Sequence, residues 1–287
     1  MLTSTSLNIF PLYAPPRETL RGLREVGFGA VDFNYCDYAG DPGLLGAKFA
    51  AYLDELGAAG SETGIRFYQA HAPCIAPWHD AAERARLLSL TDHCMGTAAR
   101  LGIQWVVFHP LTEPGFLPGY DAPTLLETNR LFALDMLQRS RGRSGVAIEN
   151  CGGGGRRWFA DSAAELVALV DAVNDPLCGV CWDTGHGHMA RADQAASLAK
   201  LGAHLKCLHV QDNDGNADLH LLPLAVQKGV DWLAVARGLA QAQFTGPFNF
   251  EVHNAFRDVP PELFDTVLHH AGKLASRIAG LAGNGER

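Results

Sequence analysis

Leu205-Lys206-Cys207-Leu208-His209-Val210-Gln211-Asp212-Asn213-Asp214-Gly215-Asn216-Ala217-Asp218-Leu219-His220 is the stretch on which the reading of this chain turns. Its first half is short and mostly apolar, the composition of a buried strand, and it carries a histidine near its end. Its second half is rich in the turn formers Asn, Asp and Gly, and closes on Asp218-x-His220. A strand that delivers His209 to a rim, followed by a loop with more carboxylates and a second imidazole, is a source of metal ligands. An acidic turn on its own is usually just a solvated loop. The decision therefore rests on whether other strands end in the same way.

Working outward, strand-like runs recur at 7–10, 31–35, 65–71, 105–110, 146–150, 179–183 and 248–252. Helical stretches follow them at about 16–26, 43–59, 81–101, 123–140, 162–173, on to 201, 231–241 and 261–281, each punctuated by Gly, Pro, Asp or Ser. Eight β–α units with no linker or low-complexity tract between them favour an α/β fold, a single (β/α)8 TIM barrel spanning residues 1–287 as one domain. The competing open doubly wound sheet normally carries G-x-G-x-x-G after its first strand, and that motif is absent.

The 287 residues are 47% hydrophobic, enough for a large core. No apolar run approaches the roughly 18–20 residues of a membrane span, and the start lacks a secretory plan. Seven scattered cysteines, mostly among apolar neighbours, suggest reduced, buried thiols in a cytoplasmic protein. Lys plus Arg number 23 against 31 for Asp plus Glu, a net charge of −8 that counts against a nucleic-acid partner. A homo-oligomer is compatible with all of this.

In such a barrel the catalytic groups sit at the C-terminal strand ends. Five strand ends carry a ligand-type residue, namely His71, His109, Glu149, Asp183 and His209, and Glu251 on the last strand is a sixth. Each is flanked by apolar residues, a costly setting for a charge unless it is paired or bound to metal. One such residue is ordinarily a buried group with a hydrogen bond; six on one rim point to a site. His186, Asp218 and His220 extend the set. Mixed carboxylate and imidazole donors suit Mn²⁺, Mg²⁺, Co²⁺ or Zn²⁺.

The motifs Val146-Ala147-Ile148-Glu149-Asn150, Trp182-Asp183-Thr184-Gly185-His186, Leu208-His209-Val210-Gln211-Asp212-Asn213, Asp218-Leu219-His220 and Phe250-Glu251 resemble the xylose isomerase-like barrel superfamily. So does Gly229-Val230-Asp231-Trp232. That superfamily holds sugar isomerases and epimerases and also the abasic-site endonucleases. The resemblance implies that Glu149, Asp183, His209 and Glu251 bind one divalent metal, with Glu149 and Glu251 as acid and base. It further implies a sugar or sugar-derivative substrate, turned over by proton transfer through an enediolate held by the metal. The resemblance also implies an alternative, a three-metal phosphodiesterase, because all nine ligand positions of the abasic-site enzymes hold ligand types here: His71, His109, Glu149, Asp183, His186, His209, Asp218, His220 and Glu251. The net charge and the acidic run Cys36-Asp37-Tyr38-Ala39-Gly40-Asp41 favour the isomerase.

Weaker signals complete the reading. Trp78 offers a sugar-stacking surface, and Arg156, Arg157 and Lys228 offer cations for a phosphate or acid group, though surface arginines mostly just solvate a loop. Cys178-Gly179-Val180-Cys181 matches C-x-x-C, but in a strand its thiols face opposite sides. Gly152–Gly155 lacks the Lys-Ser/Thr of a phosphate loop.

Overall fold

Eight strands run in chain order through the computed structural model, which describes residues 1–74, 80–111, 121–152 and 158–283. They are β1 (Thr3–Ser6), β2 (Ala30–Asn34), β3 (Arg66–His71), β4 (Trp105–Phe108), β5 (Gly145–Glu149), β6 (Cys178–Asp183), β7 (Leu205–His209) and β8 (Phe248–Phe250). The intervening helices are α1 (Pro16–Glu25), α2 (Ala47–Thr63), α3 (Ala81–Leu101), α4 (Ala122–Ser140), α5 (Ala163–Val173), α6 (Thr184–Met189), α7 (Gln194–Leu201), α8 (Trp232–Gln241) and α9 (Pro261–Gly283). Their starts follow from their caps. Asp80, Asp121, Ser162, Asp193 and Asp231 each accept a first-turn N–H, which satisfies a donor that has no partner inside the helix.

From β1 to β7 each strand pairs in parallel with the next, and β1 also pairs with β8. The seam between β7 and β8 is bridged at Val210 and Phe250, where Val210 N–H donates to the Asn249 carbonyl at 2.8 Å. The result is a nearly closed (β/α)8 barrel. Among the described residues no helix is long and apolar enough to cross a membrane.

Side-chain alternation explains the barrel's interior. Val107, Ala147, Cys181 and Cys207 form a small apolar cluster of their own. Each lies two residues before His109, Glu149, Asp183 or His209, so the apolar layer forms the floor beneath a polar rim. The larger core lies between strands and helices, with Trp182, Phe248, Phe250, Leu166 and Val235 fully buried.

Three expectations are corrected. The first strand is Thr3–Ser6, while the apolar run after it forms a 3₁₀ turn at Leu7–Ile9. Polar residues form this strand because Ser4 Oγ donates to Asn249 Oδ1 at 2.7 Å and Thr3 Oγ1 donates to the Gly27 carbonyl at 2.9 Å. The segment after Asp183, expected as a loop carrying His186 ahead of the helix to 201, is helical at once, capped by Asp183 itself. All seven thiols are free, but Cys74 is exposed, and Cys36 and Cys151 are only partly buried.

Candidate active site

His71, Glu149, Asp183 and His209 are the last residues of β3, β5, β6 and β7, and His109 and Glu251 directly follow β4 and β8. Glu149, Asp183, His209 and Glu251 each bring one donor atom to within 4.8 Å of the others. None is more than 5% exposed. Around them, His209 Nδ1 lies 3.0 Å from Glu149 Oε1 and 3.3 Å from Glu251 Oε2.

A second group shares Glu149. His71 Nε2 and His109 Nε2 are 3.2 Å apart and lie 3.7 and 3.5 Å from Glu149 Oε2. A third centres on Asp218 Oδ2, which lies 3.3 Å from His186 Nε2 and 2.9 Å from His220 Nε2. All nine ligand-type residues read from the sequence therefore gather at one end of the barrel. Lys228 is exposed, and its carbonyl lies 3.1 Å from His188 Nε2. Trp78, Arg156 and Arg157 lie outside the described residues.

The donor set passes a chemical test for a divalent cation. Glu149 Oε2, Asp183 Oδ2 and His209 Nδ1 are buried and make no hydrogen bond among the described residues. Leaving such atoms unpaired is costly, and a cation held between Asp183 and His209 would relieve the cost there, while Glu149 Oε2 faces the His71–His109 pair. The opposite atoms are occupied, which fixes the orientation. Asp183 Oδ1 accepts from the His186 N–H at 2.6 Å, and His209 Nε2 faces Asp32 Oδ2 at 3.2 Å. If that nitrogen carries the proton, the Nδ1 lone pair is free to ligate.

Electrostatics fit the same picture. Burial raises the Asp183 carboxyl to about 7, with Glu149, Asp218 and Glu251 adding to the rise against His186. Burial also works against ionising Glu149, but the charge on His209 and the His109 and His186 imidazoles beside it hold its carboxyl well below the usual range. Burial opposes charge on His220 too, yet its Asp218 bond and nearby Glu251 raise it to about 9. His253 is lowered to about 4 by burial and by the His220 ring beside it, 4.4 Å between centroids.

Several supporting residues escaped the sequence reading. Asp32 accepts from Gln69 Nε2 at 2.8 Å and from Asn249 Nδ2 at 3.3 Å, tying β2, β3 and β8 to His209. Asn150 clamps β5 to β6, accepting from the Asp183 N–H at 2.6 Å and donating to its carbonyl at 2.9 Å. Gln211 donates to Asp183 and to Asp218 and accepts from the His220 N–H. Asn34 is buried with neither amide atom paired among the described residues. The available signal was a polar residue inside an apolar strand, such as Asp32 between Val31 and Phe33.

A barrel with buried carboxylates and imidazoles gathered at its C-terminal strand ends has its candidate site on the face where such barrels carry out chemistry. The chain belongs to the xylose isomerase-like TIM barrel family, whose sequence model matches residues 20–268. Among solved structures, it resembles a D-tagatose 3-epimerase-like protein at 17% identity and a TM-score of 0.77, covering 99% of each chain. It is also similar to IOLI protein with a binding zinc atom (15%, TM-score 0.75, 99% of each chain) and to D-psicose 3-epimerase in the presence of D-fructose (14%, TM-score 0.74, 98% of this chain and 100% of that one). A curated relative, uncharacterized protein y4fM of Sinorhizobium fredii (strain NBRC 101917 / NGR234), is 36% identical over 93 residues. That match covers 32% of this chain and 29% of the relative.

Proposed function

We propose that this protein is a divalent-metal-dependent isomerase or epimerase of a sugar or sugar derivative. The observation that carries the reading is the convergence of Glu149, Asp183, His209 and Glu251 within 4.8 Å, with three buried donor atoms lacking partners. The solved neighbours add support, since they include sugar epimerases and a zinc-containing protein. These four residues would hold the ion, which when bound polarises a carbonyl and its neighbouring hydroxyl.

The chain's own groups supply the remaining steps. Epimerisation needs a proton taken from the carbon beside the carbonyl on one face and a proton returned on the other. Glu149 and Glu251, from different strands, serve as that pair. Burial of both keeps bulk water from competing for the proton. His71, His186 and Asn34 would hold substrate hydroxyls. Lys228 remains a candidate cation for an acidic substituent.

A second reading, a multi-metal phosphodiesterase, draws on the His71–His109–Glu149 and His186–Asp218–His220 groups. The net charge of −8 and the acidic segment at Asp37 and Asp41 weigh against a polyanionic substrate. The test is incubation of Mn²⁺-loaded protein with a panel of ketohexoses and, separately, with abasic-site duplex. Interconversion of sugars that is lost on chelation supports the first reading. An inert sugar panel with nicked duplex overturns it in favour of the second.

A further inference from the structure

Asn34 and His71 are register partners at the ends of β2 and β3, so the two segments leave the barrel side by side. Cys36 follows Asn34 by two residues and Cys74 follows His71 by three. This places a thiol pair above the rim, and donor atoms of Cys36, His71 and Cys74 lie within 4.8 Å of one another. Cys36 is partly buried and Cys74 exposed, so the pair is open to solvent on one side. We propose that Cys36, His71 and Cys74 form a site for a thiophilic, zinc-class divalent cation, separate from the carboxylate cluster and adjoining it through His71.

The chemistry of the donors separates the two sites. Three carboxylates and one imidazole suit hard or borderline ions, whereas two sulfurs and one imidazole select soft ones. Two thiolates and a neutral imidazole around a divalent ion carry no net charge, so little is lost by partial burial. Binding releases the two thiol protons to solvent. In a zinc site with Zn–S of about 2.3 Å and Zn–N of about 2.0 Å, donor atoms sit less than about 4 Å apart. The donor atoms here already lie within 4.8 Å of one another.

The surroundings also favour a cation. Cys36 accepts a hydrogen bond from Cys74, which favours its thiolate, but burial together with Asp37, Glu251 and Asp32 outweighs this and keeps the thiol protonated. Cys74 is raised as well, by that bond and then by burial. The same negative potential that disfavours bare thiolates attracts a divalent ion. His71 Nε2 also faces His109 and Glu149, so an ion on the thiol pair that recruits this imidazole draws it away from the His109–Glu149 group.

The proposal stands independently of the isomerase reading, and its test uses no turnover. Cd²⁺ is titrated into fully reduced protein in excess Mg²⁺, which has no thiol affinity and competes for the carboxylates. The expected result is thiolate-to-cadmium charge-transfer absorption that saturates at one equivalent. It is lost in Cys36→Ser and in Cys74→Ser, and the apparent affinity falls at least tenfold in His71→Gln. Cys74 is exposed, so its serine variant keeps the fold, which far-UV circular dichroism checks. Absence of the absorption, or its survival in both serine variants through the other five cysteines, overturns the proposal.

Discussion

Asp32 Oδ2 lies 3.2 Å from His209 Nε2, and neither side chain is exposed to solvent. A carboxylate behind a ligating imidazole fixes its tautomer and its aim. Asp32→Asn keeps the shape of the side chain but replaces the charged acceptor with an amide. The expected outcome is a loss of about 10–100-fold in divalent-metal affinity, read by competition with a chelator. Unchanged affinity would assign Asp32 to the structural network of Gln69 and Asn249 alone.

Glu251→Gln removes one of the two proposed proton carriers while preserving volume. The expected result is a fall of about 10²–10⁴-fold in sugar interconversion, with the melting temperature close to that of the unaltered protein. Parallel assays of turnover and of bound metal separate lost proton transfer from lost metal. A variant that keeps full activity would remove Glu251 from the chemistry.

Metal affinity should depend on pH through Asp183. Its carboxyl, raised to about 7, holds a proton that a cation must displace. Affinity therefore rises as pH passes upward through about 7 and is weakest in acid. In metal-free protein the sign for stability is opposite. The contribution is fully present below the ordinary value of 3.8 and is lost as pH rises through about 7. Binding isotherms and thermal melts across this range read the two trends separately.

Gly185 is required by its neighbour. A Cβ there would fall 2.2 Å from the carboxamide carbon of Gln211, whose side chain is bonded to Asp183, Asp218 and the His220 backbone. Gly185→Ala should destabilise the protein by about 1–3 kcal/mol in denaturant titration, because the locked side chain must move. A stability equal to that of the parent would mean that Gln211 is free to swing aside.

Much of this arrangement was legible in the sequence, for a physical reason. A charged or ligand-type residue closing an apolar strand, as Glu149 closes Gly145–Glu149, stands out against the cost of burying it. Asp32 carries the same mark but lies inside its strand, and attention to strand ends passes over it. Its role depends on the packing of β2, β3, β7 and β8 around one point, which local pattern does not encode. The first strand was misplaced because Thr3–Ser6 is held by hydrogen bonds across the barrel, while hydropathy favours the apolar turn after it. The exposed thiol of Cys74 was equally invisible, since it depends on how two loops leave neighbouring strands.

The most direct measurement is solvent exchange in D₂O with the metal-loaded protein and a ketose substrate, followed by NMR of the recovered sugar. Proton transfer by Glu149 and Glu251 predicts deuterium at the carbon beside the carbonyl, abolished by chelation and by Glu251→Gln. Interconversion that proceeds fully with no deuterium at that carbon, in sugars recovered after many turnovers, would contradict the account.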